Sequence, residues 1–378
     1  MCTLEKLIAQ LCPDGVEYKP LGEVCVRHHG TNITAGRMAE LACSNGGVRV
    51  FAAGSTVADV PTTAIPSGDV IKESGIIVKS RGYVGFEYYE QPFTHKNELW
   101  SYTSGSNDTA LKFVYYYLLT QCLALQALAR SKSVKLPQLA TGDTDRLEIP
   151  IPPLSVQKEI VRMLDEMTGL IDALEEELAA RKQQYEWCRE RLLRMEDGVE
   201  YKPLGEVLKY EQPTKYIVHS TEYDDSFATP VLTAGQSFIL GYTDEEDNHY
   251  QASKASPVII FDDFTTATQW VDFEFKVKSS AMKILSLKED VVADIHFVYF
   301  AIQCIGFKPG EHARHWIEKY SKFEIPLPPL PVQKEIVRML DDMTGLIDAL
   351  EEELALRKQQ YEYYRDKLLA FKRKPEVA

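Results

Sequence analysis

The chain has 378 residues, 26% of them charged, and a formal net charge of −14. This length predicts two or three domains, each large enough to bury its own core. The negative net charge argues against a protein that binds nucleic acid strongly on its own. Basic loops on an otherwise acidic protein remain compatible with this net charge. No apolar stretch approaches a membrane span, no secretory leader follows Met1, and the seven cysteines form no CxxC pair. We therefore expect a cytoplasmic protein with free thiols and no membrane contact.

An opening motif, DGVEYKPLGEV, occupies residues 14–24 and returns at residues 197–207. Behind the first copy, residues 25–147 predict a mixed α/β block. Its strand-like segments are GVRVFAA, SGDVIKESGIIVKSR, GYVGFEYYE and ELWSYTS, and its helix-like segment is LKFVYYYLLTQCLALQALAR.

Polar and basic loops of this first block are candidates for DNA contacts, because such side chains donate hydrogen bonds to phosphates and base edges. One loop follows a strand that looks buried, one precedes another strand, and one follows the helix. For any single residue, an ordinary solvated loop is the simpler interpretation. The candidates are Lys79, Arg81, His95, Lys96, Arg130, Lys132 and Lys135.

A proline cluster, IPIPPLS, then precedes a heptad pattern. Apolar residues recur in alternating steps of four and three, which is the a/d stripe of a coiled coil. Because proline is tolerated only in the first helical turn, the helix should begin just after the cluster. It should run to about Arg194, a length of about 60 Å. The candidate seam residues are Ile160, Leu164, Met167, Ile171, Leu174 and Leu178.

The second block, residues 208–323, shows no alignable identity with the first but repeats its order of elements. Strands are predicted at TPVLTA, SFILGYT, SPVIIFDD, QWVDFEFKV and SAMKILSL, and a helix at IHFVYFAIQCI. Asp262 and Asp263 suit a metal ion or a base edge, but a turn between strands is the favoured interpretation. The DNA-binding candidates of this acidic block are Thr266, Gln269, Lys276, Lys278, Lys283, Arg314, His315 and Lys319.

A second proline cluster and long helix follow. Residues 156–187 return as residues 332–363 with three changes, Glu166 to Asp342, Ala180 to Leu356 and Trp187 to Tyr363. We expect the two copies to pack on each other, antiparallel, because a narrow a/d seam favours a helical partner. Packing of each helix on its own block is the alternative. The seam residues of the second copy are Ile336, Leu340, Met343, Ile347, Leu350 and Leu354.

The two helix copies also agree at positions expected to be exposed, such as Lys158, Arg162 and Lys182. Packing explains repetition along the seam only, so we infer an external partner that binds twice, once per copy. Gly169 and Gly345 cost about 1 kcal/mol each relative to alanine in a helix. They permit a bend or a close approach, or they are tolerated defects.

These patterns predict a mixed α/β fold of two α/β domains separated by two long antiparallel coiled-coil helices, with pseudo-two-fold organisation. The expected boundaries are 1–147 for the first domain with its opening segment, 148–196 for the first helix, 197–323 for the second domain and 324–378 for the second helix.

No set of residues predicts catalysis. The sequence contains no GxGxxG after a strand, no GxxxxGK[ST], no HExxH and no GxSxG. The histidine pairs His28-His29 and His312/His315 have no convincing third ligand. We therefore expect no enzyme activity, no metal and no cofactor in this chain.

The chain resembles the specificity subunit of type I restriction-modification systems. The resemblance lies in the repeated frame: VEYKPLGEV before each block, and EIPIPPLSVQKEIV or EIPLPPLPVQKEIV after it. It covers the whole chain in order. Segments such as IIVKSRGYVG and EHARHWIEKYSKFEIPLPPL also look like parts of target recognition domains in that family.

The resemblance implies that each of two target recognition domains reads one half of an interrupted site in double-stranded DNA. The paired helices would hold the domains at a fixed spacing and dock two methyltransferase subunits, which carry S-adenosylmethionine and methylate adenine. Restriction subunits with translocase and nuclease activity would join through the methyltransferase complex. The acidic second block departs from what a simple DNA binder would show.

Two alternatives remain open from the sequence. One is a coiled-coil scaffold with two ligand- or protein-binding domains and no role in DNA. The other is the specificity component of a fused or different restriction class. A methyltransferase partner and a protected bipartite DNA sequence would exclude the scaffold.

Overall fold

The computed structural model describes residues 3–133, 135–195, 198–234, 237–310 and 313–375. His312, named above as half of a histidine pair, lies outside these residues. The chain divides into two compact units. The first comprises Met1–Leu174 with Glu353–Ala378, and the second comprises Glu175–Glu352. Each unit therefore contains one block together with parts of both long helices.

In the first half of the chain most strands precede the last three short helices, and the long helix comes at the end. The strands are β1 (Glu17–Pro20), β2 (Cys25–His29), β3 (Val48–Phe51), β4 (Val57–Val60), β5 (Gly75–Lys79), β6 (Gly85–Tyr89), β7 (Phe93–His95), β8 (Trp100–Ser104) and β9 (Glu148–Ile151). The helices are α1 (Thr3–Leu11), α2 (Leu21–Val24), α3 (Ala35–Leu41), α4 (Leu111–Thr120), α5 (Cys122–Lys132), α6 (Thr141–Asp145) and α7 (Leu154–Leu193).

The predicted strand segments of the first block each contain a strand, with two corrections. Residues Ser67–Asp69 form a short 3-10 turn, so only the second half of the segment around them is a strand, β5. The single predicted helix is two helices, α4 and α5, which meet at Gln121.

The second half of the chain repeats this order with fewer helices. Its strands are β10 (Tyr201–Pro203), β11 (Leu208–Glu211), β12 (Thr229–Leu232), β13 (Ile239–Thr243), β14 (Val258–Asp262), β15 (Thr268–Val271), β16 (Lys276–Val277), β17 (Met282–Leu287) and β18 (Glu324–Pro326). Its helices are α8 (Leu204–Val207), α9 (Ile295–Gln303) and α10 (Leu330–Leu368).

The two blocks have the same sheet topology although their sequences do not align. A four-stranded antiparallel sheet has the order β2-β8-β5-β6 in the first unit and β11-β17-β14-β15 in the second. A three-stranded sheet has the order β4-β3-β7 or β13-β12-β16, with one antiparallel and one parallel neighbour in each case. The mixed α/β fold class is confirmed.

Each four-stranded sheet buries one face against the block's helix or helices. In the first unit the strands and helices α4 and α5 share one apolar cluster, in which Ile76 and Val114 are fully buried. In the second unit Ile259 and Phe297 hold the equivalent places between β14 and α9. Full burial of such a side chain stabilises the fold by about 1.5–3 kcal/mol. The central strands β5 and β14, buried along their whole length, are therefore the most fixed part of each block.

The repeated motifs that flank each block pair with each other. Strand β1 of the opening motif runs antiparallel to β9 of the proline cluster, with Tyr18 opposite Pro150. In the second unit β10 pairs with β18 in the same way, with Tyr201 opposite Pro326. In each unit the opening motif before the block thus pairs with the proline cluster after it, although the blocks between them are unrelated in sequence.

A buried glutamine at the start of α7 fixes that helix to the block. The Gln157 side chain accepts a hydrogen bond from the backbone N–H of Ala110 at 2.8 Å. Its amide donates to the carbonyl oxygens of Pro152 at 2.7 Å and Asp108 at 3.2 Å. These groups lie at the start of α4 and in the proline cluster, so one side chain joins three segments.

The repeat uses its second glutamine in the same way. Gln333, at the start of α10, accepts a hydrogen bond from the backbone N–H of Asp294 at 2.8 Å and donates to the carbonyl oxygen of Pro328 at 2.7 Å. Asp294 in turn caps the N-terminus of α9. A buried polar group is costly unless it is hydrogen-bonded, so these bonds are required by the burial of both glutamines.

About two turns further along, a repeated aspartate contacts the block's helix through different partners. Asp165 accepts from the ammonium group of Lys112 at 2.9 Å and from the hydroxyl of Tyr116 at 2.5 Å. Its counterpart Asp341 lies 3.4 Å from the ring Nε2 of His296. The aspartate is thus the same in both long helices, whereas its partner on the block's helix differs between the two blocks.

The start of α7 packs on its own block and on the end of α10 at once. Ile160 and Leu164 are fully buried and share an apolar cluster with Phe113 of α4 and with Leu369, which directly follows α10. In the second unit Ile336 is part of the cluster that contains Phe297 and Leu193, the last residue of α7. Within each unit the two long helices therefore lie antiparallel, and both packing interpretations from the sequence hold at these ends.

The seam residues predicted from the heptads differ in burial. Ile160, Leu164, Ile171, Ile336 and Leu340 are buried, whereas Met167, Leu174, Leu178, Met343, Ile347, Leu350 and Leu354 are half-buried. The helices begin directly after the proline clusters, and α7 is 40 residues long, as the sequence predicts. That length corresponds to about 60 Å.

The end of α10 is tied to the opening motif. The backbone of Val16 accepts a hydrogen bond from the N–H of Lys374 and donates to the carbonyl of Lys372, each at 2.8 Å. Arg373 forms an ion pair with Glu148 at 2.5 Å. Among the described residues no helix combines the length and apolarity that a membrane span requires.

Candidate nucleic-acid interface

In the first unit the turn after β5 lies beside the loop that follows α5. The backbone N–H of Leu139 donates to the carbonyl of Ser80 at 3.0 Å, and that of Gly82 donates to the carbonyl of Pro137 at 2.9 Å. Gly82 has a φ of +75°, a conformation that favours glycine. We call residues 80–84 and 135–139 the first loop pair.

Four predicted DNA-binding cations come together at or next to the first loop pair. Arg81 lies in its first loop, Lys135 lies in its second, and Arg130 and Lys132 end the helix that leads into it. All four side chains are exposed. Lys132 also forms an ion pair with Asp143. Exposed cations on adjacent loops are the arrangement that contacts to a phosphate backbone require.

The second unit has an equivalent pair of loops. The turn between β14 and β15 is residues 262–267, and residues 313–319 follow α9 in the chain. The backbone N–H of His315 donates to the carbonyl of Asp263 at 2.9 Å, which matches the Leu139–Ser80 bond of the first unit. We call residues 262–267 and 313–319 the second loop pair.

Asp262 makes the turn of the second loop pair, as the sequence favoured. Its carboxylate accepts from the backbone N–H of Phe264 at 2.9 Å and from the hydroxyl of Thr265 at 2.6 Å. Thr266 closes the turn with a φ of +63°. A non-glycine residue in this conformation is strained, so the carboxylate bonds offset the cost.

Asp263 holds the two loops together. It is 1% exposed, and its carboxylate accepts from the backbone N–H groups of His315 at 3.1 Å and Trp316 at 2.9 Å. The ammonium of Lys283 lies 3.5 Å from the same carboxylate. The predicted residues Arg314, Lys319 and Gln269 are exposed around it, and Thr266 is half-buried.

Several residues predicted to contact DNA are buried, so the prediction is wrong for them. Burial leaves them without surface for a phosphate or a base edge, and each has a partner inside the protein. Lys79 faces Glu87 and the Phe51 ring, His95 bonds to Ser101, Lys276 faces Glu245 and Asp247, Lys283 faces Asp263, and His315 lies against Phe307.

Two further candidates lie outside the residues of the loop pairs. Lys96 is half-buried and forms an ion pair with Glu98 at 2.8 Å. Lys278 is exposed, directly after β16. The carbonyl of Glu98 accepts a hydrogen bond from the Ser80 hydroxyl at 2.8 Å, so the Lys96–Glu98 ion pair lies beside the first loop pair.

The buried His95 and the half-buried Glu245 have strongly shifted pKa values. Burial lowers the pKa of His95 to about 4, partly opposed by its hydrogen bond to the backbone of Lys96. For Glu245 burial favours the neutral acid, but the hydrogen bonds from Lys276 and from the backbone N–H groups of Ser220 and His219 outweigh it and lower the pKa to about 2. Both shifts come from structural contacts away from the loop pairs.

A group of potential metal ligands occurs among the described residues at His219, Glu245 and Asp247. The ammonium of Lys276 already lies 2.6 Å from Glu245 and 3.3 Å from Asp247. The protein's own cation therefore occupies the position between the two carboxylates that a metal ion would need.

Two residues that form or hold the first loop pair were not predicted from the sequence. Tyr83 lies in the turn and is 81% exposed. Gln126 of α5 is buried and bonds to the backbone on both sides of Tyr83. A glutamine on the apolar face of a helix is a signal of a buried polar clamp, and a tyrosine next to Arg81-Gly82 is a signal of an exposed contact.

The family model for the type I restriction modification DNA specificity domain matches residues 13–181 and 196–356. The chain belongs to this family. The resemblance of the repeated frame to the specificity subunits of type I restriction-modification systems is thereby confirmed. Each matched region contains one block and one loop pair.

Two relatives from Escherichia coli match part of the specificity subunit. The EcoR124I/EcoR124II specificity subunit is 54% identical over 187 residues, which are 47% of this chain and 46% of that protein. The EcoprrI specificity subunit is 28% identical over 221 residues, 52% of this chain and 53% of that protein. The matched region thus spans about half the length of these relatives.

The fold agrees with a solved structure over almost the whole chain. The crystal structure of a type I restriction-modification S subunit from M. genitalium covers 96% of this chain and 97% of that one, with a TM-score of 0.64 and 14% sequence identity. At that identity the likeness shows the fold alone.

Proposed function

We propose that each block of this specificity subunit reads one half of a bipartite site in double-stranded DNA through its loop pair. The observation that carries the proposal is that two blocks of unrelated sequence fold with one topology and present loops at the same place in it. The fold is held constant while the residues at these loops differ. That combination is expected of two readers of different base sequences on one type of scaffold.

Electrostatics distinguishes the two readers. The first loop pair is surrounded by Arg81, Arg130, Lys132 and Lys135, whereas the second carries Arg314 and Lys319 in an acidic block. Each phosphate contact that is lost reduces the slope of log affinity against log salt by about 1. The first block should therefore supply the larger part of the salt-dependent affinity, with partner subunits supplying more.

We also propose that the long helices dock two methyltransferase subunits, through which the restriction subunits join. Support comes from exposed apolar residues that recur at matching positions of α7 and α10. Leu170 and Leu346 are 44% and 45% exposed, and Trp187 and Tyr363 are 60% and 61% exposed. Exposed apolar side chains in a repeated pattern fit a partner that binds in two copies. The partner would carry S-adenosylmethionine and the methylation chemistry.

An exchange of residues 25–147 for another target recognition domain tests the division of labour. Methylated sites are sequenced from cells that express the chimera together with the adenine methyltransferase subunit of the same restriction-modification system. We expect one half-site to change and the other to persist. A change in both half-sites would contradict independent reading. The absence of any bipartite methylated sequence with the unmodified chain would favour a scaffold without a DNA role.

The long helices provide a second test. Insertion of four residues in register into both α7 and α10 should change the preferred spacer between the half-sites, while the bases of each half stay the same. The insertion lengthens each α-helix by about one turn, or about 5.4 Å. Because DNA rises about 3.4 Å per base pair, this length corresponds to about one or two base pairs of spacer. An unchanged spacer in the methylated sites would contradict a role of helix length in spacing.

A further inference from the structure

Tyr83 is exposed far beyond what the fold requires. Its residue surface is 81% exposed, while its neighbour Val84 is 1% exposed and belongs to the core of the four-stranded sheet. The ring lies along the turn, since a Cβ at Gly85 would be 3.8 Å from the ring edge. A large aromatic side chain in water contributes little to stability, so packing does not explain its place in the turn.

The backbone around Tyr83 is fixed by hydrogen bonds on both sides. The Gln126 side chain donates to the carbonyl of Gly82 at 3.1 Å and accepts from the N–H of Val84 at 2.7 Å. The N–H of Gly82 donates to the carbonyl of Pro137. These bonds leave the tyrosine two rotatable side-chain bonds and little backbone freedom. A rigidly held aromatic residue provides contact area at a low cost in conformational entropy.

The surroundings indicate what such a ring contacts. Arg81 is exposed on one side of it, and Lys135 and Leu136 are exposed on the adjacent loop. Cations of this kind suit phosphates, whereas a neutral aromatic ring suits the apolar parts of bases, such as the thymine methyl group. The turn thus places a candidate base contact among candidate phosphate contacts.

The second unit lacks this arrangement. In the equivalent turn Phe264 is only half-exposed, and the guanidinium of Arg314 lies over its ring with its carbon 5.9 Å from the centroid. The most exposed residues of that turn are Thr265 and Ala267, which have small side chains. An effect of an exposed aromatic contact should therefore be confined to one half-site.

We propose that Tyr83 is a specificity-determining residue that contacts bases in the half-site read by residues 25–147, and that Gln126 is the positioning residue that fixes it. The inference rests on the proposed function of the loop pairs. It goes beyond that function by naming which side chain discriminates between bases in the first half-site and which one orients it.

The test uses the full chain assembled with the methyltransferase subunit of the same restriction-modification system, and double-stranded oligonucleotides that bear the site methylated by this complex. Each half-site is substituted one base pair at a time. We expect Tyr83→Ala to lower affinity for the intact site at least tenfold and to abolish discrimination at one or two base pairs of the first half-site. Discrimination in the second half-site should remain. The slope of log affinity against log salt should remain too, because the side chain is neutral.

Two control variants separate a base contact from other roles. Arg81→Ala should lower affinity evenly for all sequences and reduce the salt slope by about 1, as for a phosphate contact. Tyr201→Ala removes a tyrosine that is 43% exposed on β10 of the second unit, and it should leave discrimination in both half-sites unchanged.

The role of Gln126 is tested by a double-mutant cycle. Gln126→Ala should lose discrimination at the same base pairs as Tyr83→Ala, and the double variant should be no worse than Tyr83→Ala alone. A residue with a merely structural role would lower discrimination at other base pairs of the half-site as well in the double variant. Full discrimination in Tyr83→Ala would overturn the inference, whereas an unmodified chain without any bipartite site would overturn the proposed function instead.

Discussion

The two loop pairs show how one topology fixes recognition loops by different chemistry. In the first unit the neutral side chain of Gln126 reaches from helix α5 and holds the turn at Gly82 and Val84. In the second unit the clamp is in the turn itself, where the buried carboxylate of Asp263 binds the backbone of residues 315 and 316. The strand order sets where the loops lie, and a replaceable local contact sets their conformation.

Because Asp263 is charged, its loss should destabilise the fold more than the loss of the neutral Gln126. Asp263 and Lys283 are both buried, at 1% and 3% exposure, and each is the other's counter-charge. Loss of one member of a buried ion pair typically costs about 3–5 kcal/mol, because the remaining charge stays buried without its partner. Loss of a neutral amide clamp leaves unpaired backbone groups at about 1–3 kcal/mol each.

The largest effect is therefore expected for Asp263→Ala. It should destabilise the second unit by about 3–5 kcal/mol and free the loop 313–319, because the N–H groups of His315 and Trp316 lose their acceptor. Hydrogen exchange measured by mass spectrometry should increase in that loop and in β14. Ser80 is the matched control, since it occupies the equivalent place in the first unit and donates one hydrogen bond to the carbonyl of Glu98. Ser80→Ala should cost about 1 kcal/mol. Equal effects at the two positions would contradict the comparison.

The frame should respond alike in both units. Gln157→Ala and Gln333→Ala each remove a buried side chain that bonds to the start of the block's helix and to the proline cluster. We expect a loss of about 2–4 kcal/mol in each case, since at least two backbone groups lose their partners. Increased exchange should appear near Ala110 in one variant and near Asp294 in the other.

Gln183→Ala is the control for this pair, because Gln183 is exposed on the same helix. It should leave unfolding unchanged. A loss of stability confined to only one of the two units would show that the repeated glutamine does not have one common role.

The stabilities of the two units should depend differently on pH in the acid range. Burial keeps the pKa of His95 at about 4, below its ordinary 6.5. As the pH falls, His95 takes up a proton in the unfolded chain before it does so in the folded chain. Its contribution to the free energy of unfolding of the first unit is therefore full above pH 6.5 and is lost as the pH falls toward 4. Between pH 7 and pH 5 the loss should be about 2 kcal/mol. Glu245, with a pKa of about 2 against an ordinary 4.5, stabilises the second unit above pH 4.5 and loses this effect only as the pH falls toward 2.

The measurement is urea unfolding at pH 7, 6 and 5, followed by hydrogen exchange in peptides of β7–β8 and of β14. The first unit should weaken before the second. His95→Gln should remove most of the pH dependence of the first unit between pH 7 and 5, because the group that titrates is gone. An unchanged pH dependence in this variant would show that other groups are responsible.

Much of this fold could be predicted from the sequence, because it depends on periodic patterns. The proline clusters fixed the starts of α7 and α10, and the heptads gave their lengths. The strand segments were found because β-branched and aromatic residues concentrate in them. The pairing of β1 with β9 could not be predicted, because it joins residues more than a hundred positions apart that carry no pattern of their own.

The candidate site was harder to predict than the fold. Residue type alone cannot distinguish an exposed lysine from one buried beside a carboxylate, and Lys276 and Lys283 were of the second kind. Arg81 and Lys135 could be found because basic loops follow a strand and a helix. Tyr83 and Gln126 each carry a signal in the sequence, but their joint role could not be predicted, since it depends on the approach of α5 to the turn after β5.

The smallest expected effect concerns a glycine that both helices repeat. A Cβ built at Gly169 or Gly345 meets no described atom within 4 Å, so neither glycine is needed for packing within the chain. Substitution by alanine should therefore stabilise each helix by about 1 kcal/mol. Thermal unfolding of Gly169→Ala, Gly345→Ala and the double variant measures this gain. Each glycine precedes an exposed leucine, Leu170 or Leu346. If the helices dock a methyltransferase there, the added methyl groups should weaken its binding in both copies while the chain becomes more stable. Stabilisation with unchanged binding of two methyltransferases would place the docking surface elsewhere on the helices.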